Sequence, residues 1–286
     1  MNVAEILAAA GRIAFLTVFA PVIGSVVLLA VARLTGARWE ALAVPSSAAW
    51  ALVPAGAVLG LAQLATRSPH HLALWMAWWA VALRAMLAGG LLAFAGMQLR
   101  HGAGTTFAGV TLALFVAFVT PVASDWMLGQ DPGHPVSAIG MMLAVEGIVG
   151  ATALLLASSR GSLALRRDMG RLMVAGLLGL AYLIYMDFLI IWFGNLPSHV
   201  DFYVARGAGL GVALVWGALI VGVAVPIAAL SWMGDRGGRP AGLAALGGLL
   251  LVNAWWVGGG VFALLAALVA VLGGGFAFAR REAAHV

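Results

Sequence analysis

Apolar runs of membrane-spanning length follow one another along almost the whole chain, with only short polar connections between them. Crossing a hydrocarbon layer of about 30 Å takes about 20 helical residues at about 1.5 Å each. Measured against that length, the sequence holds nine candidate spans, at about 13–33, 45–65, 72–98, 104–124, 136–158, 171–194, 205–230, 240–257 and 260–279. Lipid offers no partner to backbone N–H and C=O groups, so such runs are helical. Composition agrees: 64% of the 286 residues are hydrophobic and 9% are charged, against about 45–50% and about 25% in a soluble domain. The expectation is an all-α, polytopic helix bundle of about nine transmembrane helices, forming one membrane domain over 1–286 with sub-bundles at about 40–158 and 171–279. Only Gly258-Gly259-Gly260 separates the last two runs, which read either as a hairpin or as one kinked helix. The first run has no basic leader and no small-residue cleavage site, so it reads as a retained helix.

The few charges report orientation. All fifteen basic residues are arginine. Arg33, Arg38, Arg100, Arg160, Arg166, Arg167, Arg171, Arg236, Arg239, Arg280 and Arg281 fall on one side of the expected spans, and Arg12, Arg67 and Arg206 on the other. Positive charge collects on the cytoplasmic side. This predicts a multi-pass protein of the bacterial inner membrane, N-terminus outside and C-terminus cytoplasmic. The net charge of +5 is thereby a topology signal and not the footprint of a nucleic-acid binder.

The sequence has no cysteine, which excludes disulfides, thiolate-held iron–sulfur clusters and C-x-x-C-H haem attachment on this chain. Its histidines, His70, His71, His101, His134, His199 and His285, all lie in loops, so none is placed as an axial haem ligand inside the bundle. No cofactor or metal is expected on this chain. Phosphate-loop, H-E-x-x-H and G-x-S-x-G motifs are absent. Gly56/Gly60 and Gly207/Gly211 have the spacing that lets helix backbones approach closely. Trp75, Trp78, Trp79, Trp126, Trp192, Trp255 and Trp256 crowd the span ends as interfacial anchors.

Ionisable groups inside a membrane are expensive, so the rare ones point to function. Arg84 and Glu146 lie about 18 Å and about 15 Å from the outer ends of their spans at about 1.5 Å per residue. Similar depth predicts a buried ion pair, either a clamp between helices or a proton-exchanging Glu146 tuned by Arg84. Asp187 lies about 10 Å from its outer end, with Tyr185 and Tyr182 deeper on the same helix, and Asp125 marks an outer span end. Asp125, Asp187 and Glu146 together suggest a polar half-channel descending from outside. Two outer loops carry the densest polar and aromatic signal. One contains Asp125, Trp126, Asp131 and His134; the other contains Trp192, Asn195 and His199. They read as a docking surface for partners, or as ordinary helix-capping turns.

Those two segments resemble the second NrfD-like membrane subunit, the ActF type, of bacterial alternative complex III. The resemblance rests on Asp125-Trp126 followed by Asp131-Pro132 and Ser137, on Phe188-Leu189-Ile190, Trp192 and Asn195-Leu196-Pro197, and on Arg84 after a tryptophan-rich helix start. It implies a non-redox subunit built from paired four-helix bundles within a quinol:cytochrome c oxidoreductase. It further implies partners that carry the quinone, haem c and iron–sulfur centres: another NrfD-like subunit, an iron–sulfur subunit, c-type cytochromes and, for a shortened paralogue, a terminal oxidase. The family's acid near the end of the penultimate helix is replaced around Asn253, and its acidic pair after Asn-Leu-Pro by Ser198-His199. Two other readings stand beside this one: an independent secondary transporter, with midplane sites on broken helices, and an assembly or scaffold protein for a terminal oxidase.

Overall fold

The computed structural model describes residues 3–62, 64, 73–128, 138–194 and 197–283, and of these the backbone alone at 62, 126–128, 197, 198 and 273–283. The described chain is all-α, with no β-strand among the described residues. The helices are α1 (Val3–Thr35), α2 (Ala43–Ser46), α3 (Leu52–Ala62), α4 (Trp78–Arg100), α5 (Thr105–Leu128), α6 (Ile139–Ala157), α7 (Leu163–Phe193), α8 (Pro197–Arg206), α9 (Leu210–Leu219), α10 (Val225–Met233), α11 (Gly238–Val257) and α12 (Gly260–Ala283). Seven helical stretches among the described residues are long and apolar enough to cross a membrane: Val3–Thr35, Glu40–Leu61, Trp78–Arg100, Thr105–Asp125, Ile139–Ala157, Leu163–Phe193 and Leu210–Val257.

Two of the seven are interrupted. Glu40–Leu61 reaches α3 through two 3-10 turns flanking α2. Leu210–Val257 passes from α9 through a π-helical turn, Ile220–Ala224, into α10. Pro226 stands at the start of α10, where its missing N–H and its ring both disfavour a regular α ladder. A wider π turn just before it accommodates that defect. The chain then reverses at Gly234, whose φ of +52° lies in the left-handed region that suits glycine. As a result α11 packs back against α9, the π turn and α10.

Gly258, Gly259 and Gly260 all have positive φ. Three consecutive left-handed residues end α11 outright, so the last two runs are separate helices. They do not form a tight hairpin either, because α12 leaves α11 and packs along α1.

The centre of the bundle is α1, which touches α4, α5, α6, α11 and α12. Its closest neighbour is α6, and small residues make that approach. A Cβ on Gly24 would collide with the Gly147 carbonyl, and one on Gly150 would lie 2.9 Å from the Pro21 nitrogen. Further along α6, a Cβ on Gly242 of α11 would lie 2.6 Å from the Ala157 nitrogen. On its other side α11 meets the π turn, where a Cβ on Gly222 would lie 2.7 Å from the Gly248 Cα. The Gly56/Gly60 pair behaves as its spacing predicts: Cβ atoms there would lie 2.8 Å from the Met86 nitrogen and 2.7 Å from the Trp78 carbonyl, both on α4. Gly207/Gly211 does not. Its neighbours are Tyr203, Val204 and Arg206 of the preceding turn, so these glycines shape the α8–α9 corner instead of joining two helices.

Candidate functional site: a buried polar junction

Glu146 lies 7% exposed on α6, one residue before the Gly147 crossing. The close approach of α1 and α11 to α6 encloses it. Asn253 of α11, fully buried, donates its amide to Glu146 Oε1 at 2.5 Å. The same Nδ2 reaches Thr17 Oγ1 of α1 at 3.5 Å. Thr17, also buried, donates its hydroxyl to the Ile13 carbonyl at 2.9 Å. Asn253 follows Gly242, Ala245 and Leu249 at spacings of three and four residues, on one stripe of its helix, and all are buried. The stripe that packs α11 into the bundle therefore ends in the amide that meets Glu146. The Asn253 Oδ1 atom is buried with no hydrogen-bond partner among the described residues.

The expected ion pair between Arg84 and Glu146 does not form. Arg84 Nε donates to Asp125 Oδ2 at 2.6 Å, and its Nη2 to the Trp75 carbonyl at 2.6 Å. The guanidinium also lies 4.1 Å from the Trp75 ring centroid. Trp75 Nε1 donates to the second Asp125 oxygen at 2.7 Å, and Asp125 is 3% exposed. The reason is a boundary. The helix starts at Trp78 and not near 72, so Arg84 is only six residues in, about 9 Å from the helix end, and the turn before it supplies Trp75. Glu146 is likewise shallower than expected. It is seven residues into α6, about 10 Å from the end, and Asn253 is four residues from the end of α11, about 6 Å.

Asp187 of α7 belongs to a third group. It accepts from the Tyr203 hydroxyl of α8 at 2.5 Å. Burial, followed by the neighbouring Asp187, raises the Tyr203 pKa above the ordinary phenol value, so Tyr203 stays a neutral donor. No hydrogen bond among the described residues joins Glu146 to Asp125 or Asp187. Among the described residues each of the three acids has its own hydrogen-bond partners. Tyr182 and Tyr185 are 59% and 57% exposed, and Tyr185 lines a cavity shared with Tyr203 of α8 and Val252 and Trp255 of α11.

Among the expected docking residues, Trp192 is exposed and stacks on Phe188 at 5.6 Å. His199 is half-buried on α8. Asp131, His134 and Asn195 lie outside the described residues, as does the side chain of Trp126. Arg206, counted in the sequence as an outer-side charge, closes α11: its Nε donates to the Trp255 carbonyl at 3.0 Å and its Nη2 to the Trp256 carbonyl at 3.2 Å. It also lies 3.7 Å from the Phe202 ring centroid. A cation on the last carbonyls of a helix satisfies them and complements the dipole. Arg206→Ala is expected to cost about 1.5–3 kcal/mol, the range for hydrogen bonds from a charged donor. Thermal unfolding in detergent checks this, and Arg206→Lys should recover part of the loss.

Sequence reasoning missed Asn253, Trp75 and Tyr203 as partners of the acids, and Thr17 as the second contact of Asn253. The signal for Asn253 was present, since an amide inside an apolar span needs a polar neighbour. Among the described residues no group of three or more His, Asp or Glu side chains is arranged to hold a metal. No protein-family profile and no curated protein matches the chain.

Proposed function

We propose that the chain is a non-redox membrane subunit of a respiratory quinol-oxidising complex of the alternative complex III type, in which Glu146 exchanges protons. Membership of the complex rests on the Asp125-Trp126 and Phe188–Pro197 segments. The observation that carries the proton role is the setting of Glu146: a carboxyl buried where α1, α6 and α11 meet, bonded to an amide and in no ion pair among the described residues. An enclosed carboxyl that meets a neutral partner is suited to gaining and losing a proton. In this reading Leu210–Val257 makes two passes and α12 one more, giving nine passes with the N-terminus outside the bacterial inner membrane. Quinone, haem c and iron–sulfur centres then reside on partner subunits.

Two measurements test the proposal. Purification in mild detergent is expected to co-isolate cytochrome and iron–sulfur subunits, and recovery of a lone chain overturns the assignment to a complex. Within an intact complex, Glu146→Gln keeps the hydrogen-bonding shape and removes the titratable proton, so proton release per electron is expected to fall. Unchanged coupling overturns the proton role.

A second reading, a stand-alone secondary transporter, is favoured by the two interrupted stretches at Glu40–Leu61 and Leu210–Val257, since transporters build their sites on broken helices. It predicts proton or solute flux in vesicles that contain this chain alone.

A further inference from the structure

At the end of the bundle opposite the Trp255–Trp256 corner, a cavity of about 450 Å³ opens between α6, α7 and α10. Its polar wall consists of Arg166, Arg167 and Arg171 from the first turns of α7, with Ser231 and Asp235 across from them and Leu230 in its apolar floor. Positive charge there is only partly matched. Asp235 is engaged by Arg167 through two bonds of 2.8 and 2.7 Å. Asp168 stands 4.0 Å from Arg171 with both side chains exposed, an arrangement of little strength. The Nε of Arg166 is buried and has no acceptor among the described residues. An unmet buried donor is costly, and a ligand oxygen would remove that cost.

We propose that this cavity binds a phosphate-bearing anion, with Arg166 and Arg171 donating to its oxygens and the apolar floor receiving the carbon group attached to it. Guanidinium forks match phosphate oxygens in geometry as well as charge. Arg167, already occupied by Asp235, positions the wall without serving the ligand. The site stands independently of the respiratory reading. Two sources present the same chemistry, a membrane phospholipid headgroup and free phosphate, and the experiment separates them.

The full chain in detergent is titrated with dioleoyl phosphatidylglycerol, with dioleoylglycerol as the phosphate-free counterpart, and with inorganic phosphate. Bound lipid is read by native mass spectrometry, and free phosphate by the shift in unfolding midpoint. Arg171→Gln alters an 83% exposed side chain and so leaves folding intact. It and Arg166→Gln are each expected to weaken binding about fivefold, corresponding to about 1 kcal/mol per arginine near an anionic headgroup. Arg239→Gln, outside the cavity lining, should change binding less than twofold. Arginine-dependent retention of phosphatidylglycerol alone supports a lipid site. An arginine-dependent midpoint shift with inorganic phosphate supports a free anion. The proposal is overturned if neither ligand responds to Arg166 and Arg171, if dioleoylglycerol binds equally well, or if Arg239→Gln has the same effect.

Discussion

Replacing Gly24 with leucine is expected to abolish assembly of the bundle, and alanine alone should damage it. Any Cβ at this position meets the Gly147 carbonyl. The obstacle is backbone, which cannot rotate out of the way as a side chain does. Relief requires moving α1 off α6, and with it the packing of Pro21 on Gly150. Overpacking a well-fitted interior costs about 1–3 kcal/mol and sometimes more; with both helix backbones involved, the upper end applies to alanine and leucine should exceed it. Gly109→Ala on α5 is the control, since a Cβ there meets nothing within 4 Å. It gains helix propensity of up to about 1 kcal/mol. Size-exclusion behaviour and thermal unfolding in detergent compare the variants. Equal stability of Gly24→Ala and Gly109→Ala would show that the crossing is not as tight as described.

Arg84→Ala carries the second large effect. It leaves the Asp125 carboxylate, 3% exposed, with the Trp75 indole as its one remaining partner among the described residues. Breaking a buried pair by removing one member costs about 3–5 kcal/mol, because the remaining charge keeps its desolvation penalty. The double substitution Arg84→Gln with Asp125→Asn removes both charges and preserves polar contact, so it should recover much of the loss. Trp75→Phe deletes a single bond to Asp125 and should cost about 1 kcal/mol. A double-mutant cycle on unfolding midpoints reads the coupling directly. Additive effects of the two single substitutions would mean that the pair contributes nothing beyond its separate members.

The helices were legible because their cause is local. Apolar length and backbone self-satisfaction act within one segment, so the spans can be read without knowing their neighbours. The burial of Glu146 was legible for the same reason, since a charged group in an apolar run needs shelter, whereas Asp125 was read as the outer end of a span and its burial was not. Nor were their partners. Arg84 and Glu146 looked matched by depth, yet depth says nothing about which helices touch, and a six-residue error in where α4 begins moved Arg84 to a different neighbour. Asn253 read as the loss of an acid, whereas its amide is the group that meets Glu146. Glycine spacing showed the same limit. Gly56/Gly60 faced another helix and Gly207/Gly211 faced only their own turn, while the tightest crossing, Gly24 with Gly147, joins single glycines more than a hundred residues apart in the chain. Such a match between distant positions has no periodic signature.

The packing of α12 along α1 bears on the order in which the protein is made. The ribosome delivers α1 before α4, α5, α6, α11 and α12, which all pack against it, so its cover is completed only when the later helices arrive. Thr17 and Ser25 are buried polar residues of this early helix. Their hydroxyls are already satisfied within the helix, Thr17 by the Ile13 carbonyl and Ser25 by the Pro21 carbonyl. The early helix thus keeps these polar groups quiet until its late partners arrive. Glu146 has no such bond within its own helix among the described residues; its partner there is Asn253 of α11, which is made more than a hundred residues later.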